Sequence, residues 1–517
     1  MYDYVIIGAG SAGCVLAARL TEDPDVTVCL VEAGPSDNAD VIGVPAAFGQ
    51  MFRTRLDWDY DTQEEAALDG RRVYLPRGRM IGGTSSLNGM VYIRGNHADY
   101  DGWNQPGWSF RELLPYFKRS EDNERGESEY HGVGGPLAVS EGRSKNEMVA
   151  AFVEATTAAG LPENDDFNGA TQEGFGSFQL TQKNGRRWSA SDAFLRPALD
   201  RPNLTVKTHV QVSRITFDGS RATGIVGTHL DDEVTIGAER EVIVAAGVFN
   251  SPQLLMLSGI GPAETLSPLG IPVVVDQPQV GANLQDHPQA LLVYPHDEPL
   301  SLLISGEPKY QRQFEEEGTG PLTSNVVETG GFADLGFDGA GPDVQFHAGA
   351  IMFREGGLGA PTGHAISYGA CVLRPQSRGT VSIASADPTA KPLISHNFYQ
   401  EKADLEIAVE ALRLGLDLAR QRPLKRYTDT PLAPPASSRT ADLETYIRRN
   451  TGTAFHPAGT CAMGTVVDAE LRVQGVEGLR VVDASVMPVL VRGNTNAPVI
   501  AIAEKGADLI RGLAAPV

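Results

Sequence analysis

The chain has 517 residues, of which 41% are hydrophobic and 21% charged, as in an ordinary globular protein of two to four domains. Its 43 basic and 65 acidic residues give a net charge of −22, which argues against nucleic acid or an anionic membrane as the main partner. No apolar run reaches the ~18 residues that span a bilayer, and a first strand at Tyr4 leaves no room for a secretion signal. We therefore expect a cytoplasmic protein without a membrane span.

The first 32 residues predict a strand, a glycine-rich turn, a helix and a second strand that ends at the acid Glu32. This order is the dinucleotide-binding fingerprint in its full context, which disfavours the alternative of a glycine-rich turn without a ligand. Gly8 permits the tight turn, Gly10 lets a pyrophosphate approach the helix N-terminus, and Gly13 lets the helix lie close to the sheet. Glu32 is placed to accept hydrogen bonds from a ribose. The pattern predicts nucleotide binding and leaves NAD and FAD open.

A second glycine-rich segment, Arg77–Gly89, is too dense in glycine and hydroxyl residues to form a hydrophobic core. Such a backbone can lie against a flat or charged ligand, because few Cβ atoms would intrude. The alternative is a flexible surface linker, although the apolar run Met90–Ile93 follows directly. We interpret the segment as part of the ligand site.

Residues 110–200 are expected to form helices and loops, and strands are predicted over 203–208, 210–215 and 240–245. The last of these is apolar enough to be buried on both faces and ends at Ala246-Gly247, as if the chain returned to the nucleotide-binding sheet. A helix begins at Ser251-Pro252, with proline in the permitted first turn.

Short strand-like pieces between 300 and 440, followed by an amphipathic helix over 403–420, predict an antiparallel sheet backed by helices. Near the C-terminus, a strand is predicted over 479–484 and a helix over 499–511. Pro498 suits the first turn of that helix, and Thr495 or Asn496 would cap it. The helix N-terminus is a second place where negative charge would be stabilised.

Several further segments, together with the first fingerprint, match family signatures in order along nearly the whole chain: Gly78–Asn88, Gly247–Gly261, Val280–Pro288, Arg374–Gly379, Phe455–Thr460 and Gly493–Pro498. The chain thereby resembles the glucose–methanol–choline (GMC) oxidoreductases, in their choline dehydrogenase-like and alcohol oxidase branch. The resemblance implies an α/β fold with a Rossmann-like FAD-binding domain of the glutathione-reductase type and a second α+β domain built on an antiparallel sheet. We expect residues 1–299 and 441–517 to form the FAD domain and 300–440 the substrate domain, with parts of 60–200 packed against the latter.

The resemblance implies FAD rather than NAD. It assigns cofactor contacts to Gly8, Gly10, Ser11, Ala12, Gly13, Glu32, Ala33, Trp58, Arg79, Gly82, Gly83, Thr84, Ser85, Asn88, Gly89, Met90, Val91, Val212, Ala246, Gly247, Asp483, Ala484, Thr495 and Asn496. Some members attach FAD covalently through a histidine just before the asparagine of the Gly-Gly signature. Leu87 stands at that position, so we expect noncovalent FAD. We expect no metal.

Oxidising an alcohol requires a base for the hydroxyl proton and an acceptor for the hydride. His456 lies in the segment that resembles the catalytic stretch of the family, and a neutral histidine is available as a base near pH 7. The resemblance places Asn494 beside it, where its amide would donate to the substrate oxygen. For Asn496, a simple capping role is about as plausible as a flavin contact.

His347, Phe353 and Phe455 are candidate substrate-pocket residues. We rank an uncharged primary or aryl alcohol above choline, because no tryptophan lies between 300 and 440 to build a cage for a quaternary ammonium. The flavin would be reoxidised by dioxygen or by another acceptor. Hydroxynitrile lyases and flavin photoenzymes of the same family, and a flavoprotein scaffold without activity, remain as alternatives. A monomer or a homodimer is expected.

Overall fold

The structure, a computed structural model, describes residues 1–516. Its α-helices span Ser11–Leu20, Asp40–Gly43, His97–Asp101, Phe110–Ser120, Glu147–Ala158, Asn250–Leu257, Ala263–Leu266, Pro308–Glu317, Lys402–Leu418, Arg422–Lys425, Thr440–Asn450 and Asn496–Arg511. Within residues 1–516, no helix combines the length and the apolar character that crossing a bilayer would require.

A seven-stranded mixed sheet combines strands from the two ends of the chain with four strands from residues 204–244. In spatial order its strands are Leu204–Lys207, Val28–Val31, Tyr2–Ile7, Asp232–Val244, Arg221–His229 and Val210–Asp218, and Leu479–Val481 pairs with Asp232–Val244. The first four of these strands, together with Leu479–Val481, run parallel, and the remaining pairs are antiparallel. Ile7 lies opposite both Val31 and Val244, so the carboxyl ends of the central strands meet at one edge. That edge is where an open parallel sheet binds ligands.

A second, six-stranded sheet is antiparallel throughout. Its strands, in spatial order, are Gly452–Thr453, Pro288–Pro295, Ala365–Val372, Val344–Gly349, Thr329–Ala333 and Gly174–Ser177. The helix Lys402–Leu418 covers this sheet, and the Tyr368 hydroxyl donates to the carbonyl of Gly415 on that helix at 3.0 Å. The α/β architecture with a second, antiparallel sheet is therefore confirmed.

The range 300–440 is too narrow for the antiparallel sheet, because three of its six strands lie outside that range. Pro288–Pro295 directly follows the Asp286-His287 motif, and Gly174–Ser177 comes from a region expected to contain only helices and loops. These strands are short or contain proline and glycine, so their composition carries little strand signal. The division of the chain into 1–299 with 441–517 and 300–440 otherwise stays a prediction.

The first and last helices lie against each other and join the two ends of the chain. The Arg19 guanidinium forms two hydrogen bonds of 2.8 Å with the buried carboxylate of Glu504. At their N-termini, the Ser11 hydroxyl donates to Asn496 Oδ1 at 2.7 Å. The last helix begins three residues before the predicted position, so Pro498 occupies its third residue, still within the first turn. The N-termini of the first and last helices therefore lie next to each other.

Candidate active site

A cavity of about 560 Å³ extends from the carboxyl edge of the mixed sheet to the antiparallel sheet. The predicted site residues that line it are Gly8, Gly10, Ser11, Ala12, Glu32, Ala33, Trp58, Arg79, Gly83, Thr84, Asn88, Gly89, Met90, Val91, Val212, Ala246, Gly247, Asp483, Ala484, Thr495, Asn496, His347, Phe353, Phe455, His456 and Asn494. Residues that lie far apart in the sequence, from Gly8 to Asn496, are thus brought to one cavity. We call the part around Gly8–Ala12 and Glu32 the nucleotide end, and the part around His456 and Asn494 the reactive end.

The nucleotide end presents backbone amides rather than side chains. The first helix starts at Ser11 and the last at Asn496, and neither N-terminus has a side-chain cap. Uncapped N–H groups and the helix dipole together attract anionic groups. A Cβ on Gly10 would have only the Gly83 Cα within 4 Å, at 3.9 Å, so this backbone is open to a ligand. The arrangement fits a pyrophosphate.

Three predicted cofactor residues, Gly13, Gly82 and Ser85, do not line the cavity. A Cβ on Gly13 would lie 1.9 Å from the Gly8 carbonyl oxygen, so glycine is required there for helix-to-turn contact. Gly82 has a φ of +83°, and its Cβ would lie 2.0 Å from Ser86 Oγ. Ser85 donates to the Gly82 carbonyl and accepts from the Ala190 amide. These three residues therefore support the backbone that lines the cavity, without lining it themselves.

Glu32 is buried at the end of its strand, and each of its two carboxylate oxygens accepts a backbone hydrogen bond of 2.9 Å, one from Ala9 and one from Gly34. Burial raises its pKa to about 7, although these hydrogen bonds favour the ionised form. The carboxylate keeps free lone pairs toward the cavity, as a ribose ligand requires. Nearby, the Arg79 guanidinium lies 5.0 Å above the ring of Trp58.

The reactive end is organised around His456. Its Nε2 lies 3.0 Å from Asn494 Nδ2, and its Nδ1 lies 3.0 Å from Nδ1 of His287. His287 Nε2 in turn lies 3.0 Å from the carbonyl oxygen of Leu373. On the other side, Gln345 Nε2 donates to Asn494 Oδ1 at 3.0 Å. The two predicted catalytic residues are therefore in direct contact, and each has a second partner.

A buried carboxylate, Asp286, holds the backbone of this group. Its Oδ1 accepts the amides of His287 and His456, both at 2.8 Å, and its Oδ2 accepts the Thr453 hydroxyl at 2.6 Å. Burial would raise the pKa of Asp286, but the nearby His396 ring, 3.3 Å away, and the hydrogen bond from Thr453 keep it at about 2. The carboxylate is thus ionised and anchors both histidines through their main chains.

The three histidines at the reactive end are neutral near pH 7, because burial disfavours their charged forms. It lowers the pKa of His287 to about 4 and that of His347 to about 3. The pKa of His456 is lowered well below its usual value, first by burial and then by the nearby His287. A neutral imidazole with a free lone pair is the form in which histidine acts as a base.

Comparison with known proteins agrees with this geometry. The GMC oxidoreductase family matches over residues 2–289 with its N-terminal part and over residues 375–503 with its C-terminal part. The chain belongs to the GMC oxidoreductase family.

Similar GMC proteins include enzymes and solved structures from bacteria and a fungus. An "oxygen-dependent choline dehydrogenase" of Burkholderia ambifaria is 43% identical over 99% of this chain and 94% of its own. The structure of pyridoxine 4-oxidase from Mesorbium loti superposes with a TM-score of 0.90 at 32% identity, covering 99% of this chain and 100% of that one. A formate oxidase of Aspergillus oryzae gives 0.91 at 29% identity, covering 99% and 98%.

As a GMC oxidoreductase, the protein uses FAD as its cofactor, and its residues fit that group. The uncapped N-termini of the first and last helices face the cavity, and Glu32 lies beyond them. At Gly247, φ is +87° and no atom lies within 4 Å of the place where a Cβ would project. The backbone there is open, as contact with a flat ring system requires.

Sequence reasoning assigned no role to several cavity or neighbouring residues. Arg77 lines the cavity and donates to the Phe455 carbonyl at 2.7 Å, which fixes the residue before His456. Gln289 also lines the cavity, and its Nε2 lies 2.9 Å from Nδ1 of His347. His287 lies in the Val280–Pro288 signature, but nothing in the spacing of that motif places it against His456. Gln345 lies in the strand-like segment Val344–Phe353, which resembles a substrate-pocket strand of the family, but only His347 and Phe353 of that segment were predicted as pocket residues.

Proposed function

We propose that the protein oxidises an uncharged primary or aryl alcohol to the aldehyde. The observation that carries this proposal is the 3.0 Å contact between His456 Nε2 and Asn494 Nδ2 at the cavity wall. An alcohol needs a base for its hydroxyl proton and a donor for the oxygen that becomes negative as the proton leaves. His456 is the base and Asn494 is the donor, and the two side chains are in direct contact.

In this mechanism, His456 Nε2 takes the hydroxyl proton. In the ligand-free protein, Asn494 Nδ2 contacts His456 Nε2. When an alcohol binds between them, its hydroxyl donates to His456 Nε2 and its oxygen accepts from Asn494 Nδ2. FAD, when bound, supplies the hydride acceptor. Apolar side chains of the wall, among them Val326, Val327 and Ile351, exclude water from the reacting atoms.

The charges around the cavity support an uncharged substrate. Its lining holds three acids, Glu32, Asp57 and Asp483, and all three are engaged away from His456. Glu32 accepts amides at the nucleotide end. Asp57 accepts the amides of its own loop and of Arg77, together with the Tyr74 hydroxyl. Asp483 accepts hydrogen bonds from the amides of Gly247 and Ser485 and from the hydroxyl of Ser251.

The cavity wall also carries apolar and aromatic side chains, which further supports a neutral or aryl alcohol. A Cβ on Gly357 would lie 2.9 Å from the ring of Phe52 and 3.2 Å from that of Phe353, so these two rings lie side by side. Both line the cavity, and Leu291 lines it as well. Aromatic rings offer stacking surface to an aryl group.

Choline is the second candidate, because relatives that are 43% identical carry the name choline dehydrogenase. A quaternary ammonium is held by aromatic faces and, when desolvated, needs an opposite charge. The carboxamide of Gln289 stands at the reactive end and turns its Nε2 to His347, so it offers no negative charge. Because Gln289 supplies no negative charge for a quaternary ammonium, we rank the neutral alcohol above choline.

The test is anaerobic mixing of the FAD-loaded protein with a panel of alcohols in the dark. We expect benzyl-type or short primary alcohols to bleach the flavin, and choline to bleach it more slowly. Bleaching by choline alone would reverse the ranking. The absence of bleaching by every alcohol would contradict alcohol oxidation and favour a lyase, a photoenzyme or an inactive scaffold. Admitting air then tests whether dioxygen or another acceptor reoxidises the flavin.

We further propose that the FAD is bound noncovalently. Leu87 lines the cavity with a buried, unreactive side chain at the position where some family members carry the attached histidine. Acid precipitation should therefore release the flavin into the supernatant. Flavin that stays with the precipitate would contradict this. The monomeric or dimeric state and the cytoplasmic location stay predictions.

A further inference from the structure

The reactive end contains an unbroken row of polar contacts that begins and ends on the antiparallel sheet. Gln345, on the strand Val344–Gly349, contacts Asn494, which contacts His456. His456 contacts His287, which contacts the carbonyl of Leu373, one residue beyond the strand Ala365–Val372. Each step is 3.0 Å long. Such a row allows two opposite directions of hydrogen bonding.

The carbonyl of Leu373 decides between the two directions. A carbonyl oxygen can only accept, so His287 Nε2 must carry a hydrogen. A neutral imidazole carries one hydrogen, so the Nδ1 of His287 has a lone pair and must accept from His456 Nδ1. The reverse direction would set the lone pair of His287 Nε2 against that of the carbonyl.

The neutrality of His287 follows from its surroundings. The side chain is completely buried, and its ring nitrogens contact a second histidine and a carbonyl rather than a carboxylate. Burial accordingly lowers the pKa of His287 to about 4. The adjacent carboxylate of Asp286 accepts main-chain amides and hydroxyl groups and does not contact the ring nitrogens.

We propose that His287 is a positioning residue that holds the resting hydrogen of His456 on Nδ1 and therefore keeps the lone pair on Nε2. That lone pair accepts from Asn494 in the ligand-free protein and from the hydroxyl of the substrate when an alcohol binds. This inference rests on the proposed alcohol oxidation for its catalytic meaning. Gln345 acts in the same sense from the other end, because its donation to Asn494 Oδ1 turns the Asn494 amino group toward His456 Nε2.

The same arrangement serves the proton transfer. As the hydroxyl proton moves to His456 Nε2, the electron pair of the O–H bond stays on the substrate oxygen. His456 then carries hydrogens on both nitrogens, and its Nδ1–H keeps its acceptor, the neutral His287 Nδ1. That hydrogen bond becomes charge-assisted and therefore stronger. His287 thus does the work that a carboxylate does in many base–orienter pairs, without adding a negative charge beside the oxygen.

The direct test is the tautomer of His456 in the resting FAD-bound protein. The chain has ten histidines, and protein labelled with ¹⁵N-histidine reports which ring nitrogen of each carries hydrogen. The signal of His456 is identified by its loss in His456→Ala. We expect the hydrogen on Nδ1. A hydrogen on Nε2 would overturn the proposal, whatever the substrate of the enzyme.

Two variants of His287 test the catalytic consequence. His287→Leu removes the acceptor, whereas His287→Asn places a carboxamide oxygen close to the former Nδ1. We expect His287→Leu to lower the rate constant of flavin reduction at saturating alcohol by about 10–100-fold, the effect of losing one charge-assisted hydrogen bond. His287→Asn should recover most of that rate and keep the Nδ1–H signal of His456.

Equal rates in the FAD-loaded Leu and Asn variants, or a wild-type rate in His287→Leu, would overturn the catalytic role. If His287→Leu does not fold or bind FAD, the wild-type tautomer still decides for or against the proposal. If no alcohol reduces the wild-type flavin, the proposed function fails, and the ¹⁵N measurement remains an independent test of the hydrogen-bond direction.

Discussion

The two ends of the cavity are built by different means. The nucleotide end uses main-chain amides at two helix N-termini and glycines that leave the backbone open, with Glu32 as its main charged side chain. The reactive end uses side chains, His456 and Asn494, each fixed by a further side chain. Backbone sites tolerate most changes of side chain but no added Cβ, whereas the reactive end depends on individual nitrogen atoms. Holding the cofactor and using it should therefore be separable by substitution.

His456→Ala should separate them most clearly. Without the base, we expect the rate constant of flavin reduction to fall by about 10²–10⁴-fold, while the FAD content stays at the wild-type level. Stopped-flow reduction and the flavin-to-protein absorbance ratio measure the two quantities. His229→Ala is the matched control, because that histidine is exposed at the end of a strand. A fast His456→Ala enzyme would remove His456 from the mechanism.

Gly13→Ala should have the converse effect. The new Cβ would lie 1.9 Å from the Gly8 carbonyl oxygen and would push the first helix from the turn. Such overpacking costs about 1–3 kcal/mol, so FAD should bind about 5–150-fold more weakly, with a normal reduction rate for each flavin that remains bound. Titration with FAD measures the affinity. Gly306→Ala is the control, because that exposed glycine has no atom within 4 Å of a Cβ position. Unchanged affinity in Gly13→Ala would refute this role of the turn.

The last prediction concerns the stability of the FAD-free protein and its dependence on Glu32. Its folded-state pKa of about 7 exceeds the usual 4.5, so the folded state binds more protons between these values. Glu32 therefore imposes no penalty below pH 4.5, an increasing one from 4.5 to 7, and a constant one above 7. We expect this penalty to be about 3 kcal/mol at most and absent from Glu32→Gln. Melting temperatures from pH 4.5 to 8 measure it. Parallel pH curves for the two proteins would contradict the raised pKa.

The backbone geometry of the nucleotide end could be predicted from the sequence because it is local, whereas the FAD contacts of its residues stay predictions. The turn at Gly8, the approach at Gly10 and the contact at Gly13 are demands on neighbouring main-chain atoms, so they appear as fixed spacings. The reactive end was only partly predictable. His456 and Asn494 were found through family resemblance, whereas His287 and Gln345 act across contacts that join positions more than 140 residues apart.

The boundary of the second sheet was missed for a related physical reason. Strand pairing in an antiparallel sheet is decided by partners far along the chain, and Gly174–Ser177 and Gly452–Thr453 are too short to show an alternating pattern. The helix Lys402–Leu418, by contrast, was predicted within two residues at each end, because its apolar positions recur with helical period.

The contact between Ser11 and Asn496, 485 positions apart, also fixes the order of events during synthesis. At about 5–20 residues per second, the residues at position 496 appear roughly 25–100 s after those at position 11. Throughout that interval the nascent first helix has no partner N-terminus, and the buried Glu504 that pairs with Arg19 does not yet exist. The strand Asp232–Val244 likewise lacks its partner Leu479–Val481 until then, so the sheet stays incomplete. The nucleotide end is therefore completed only late in synthesis.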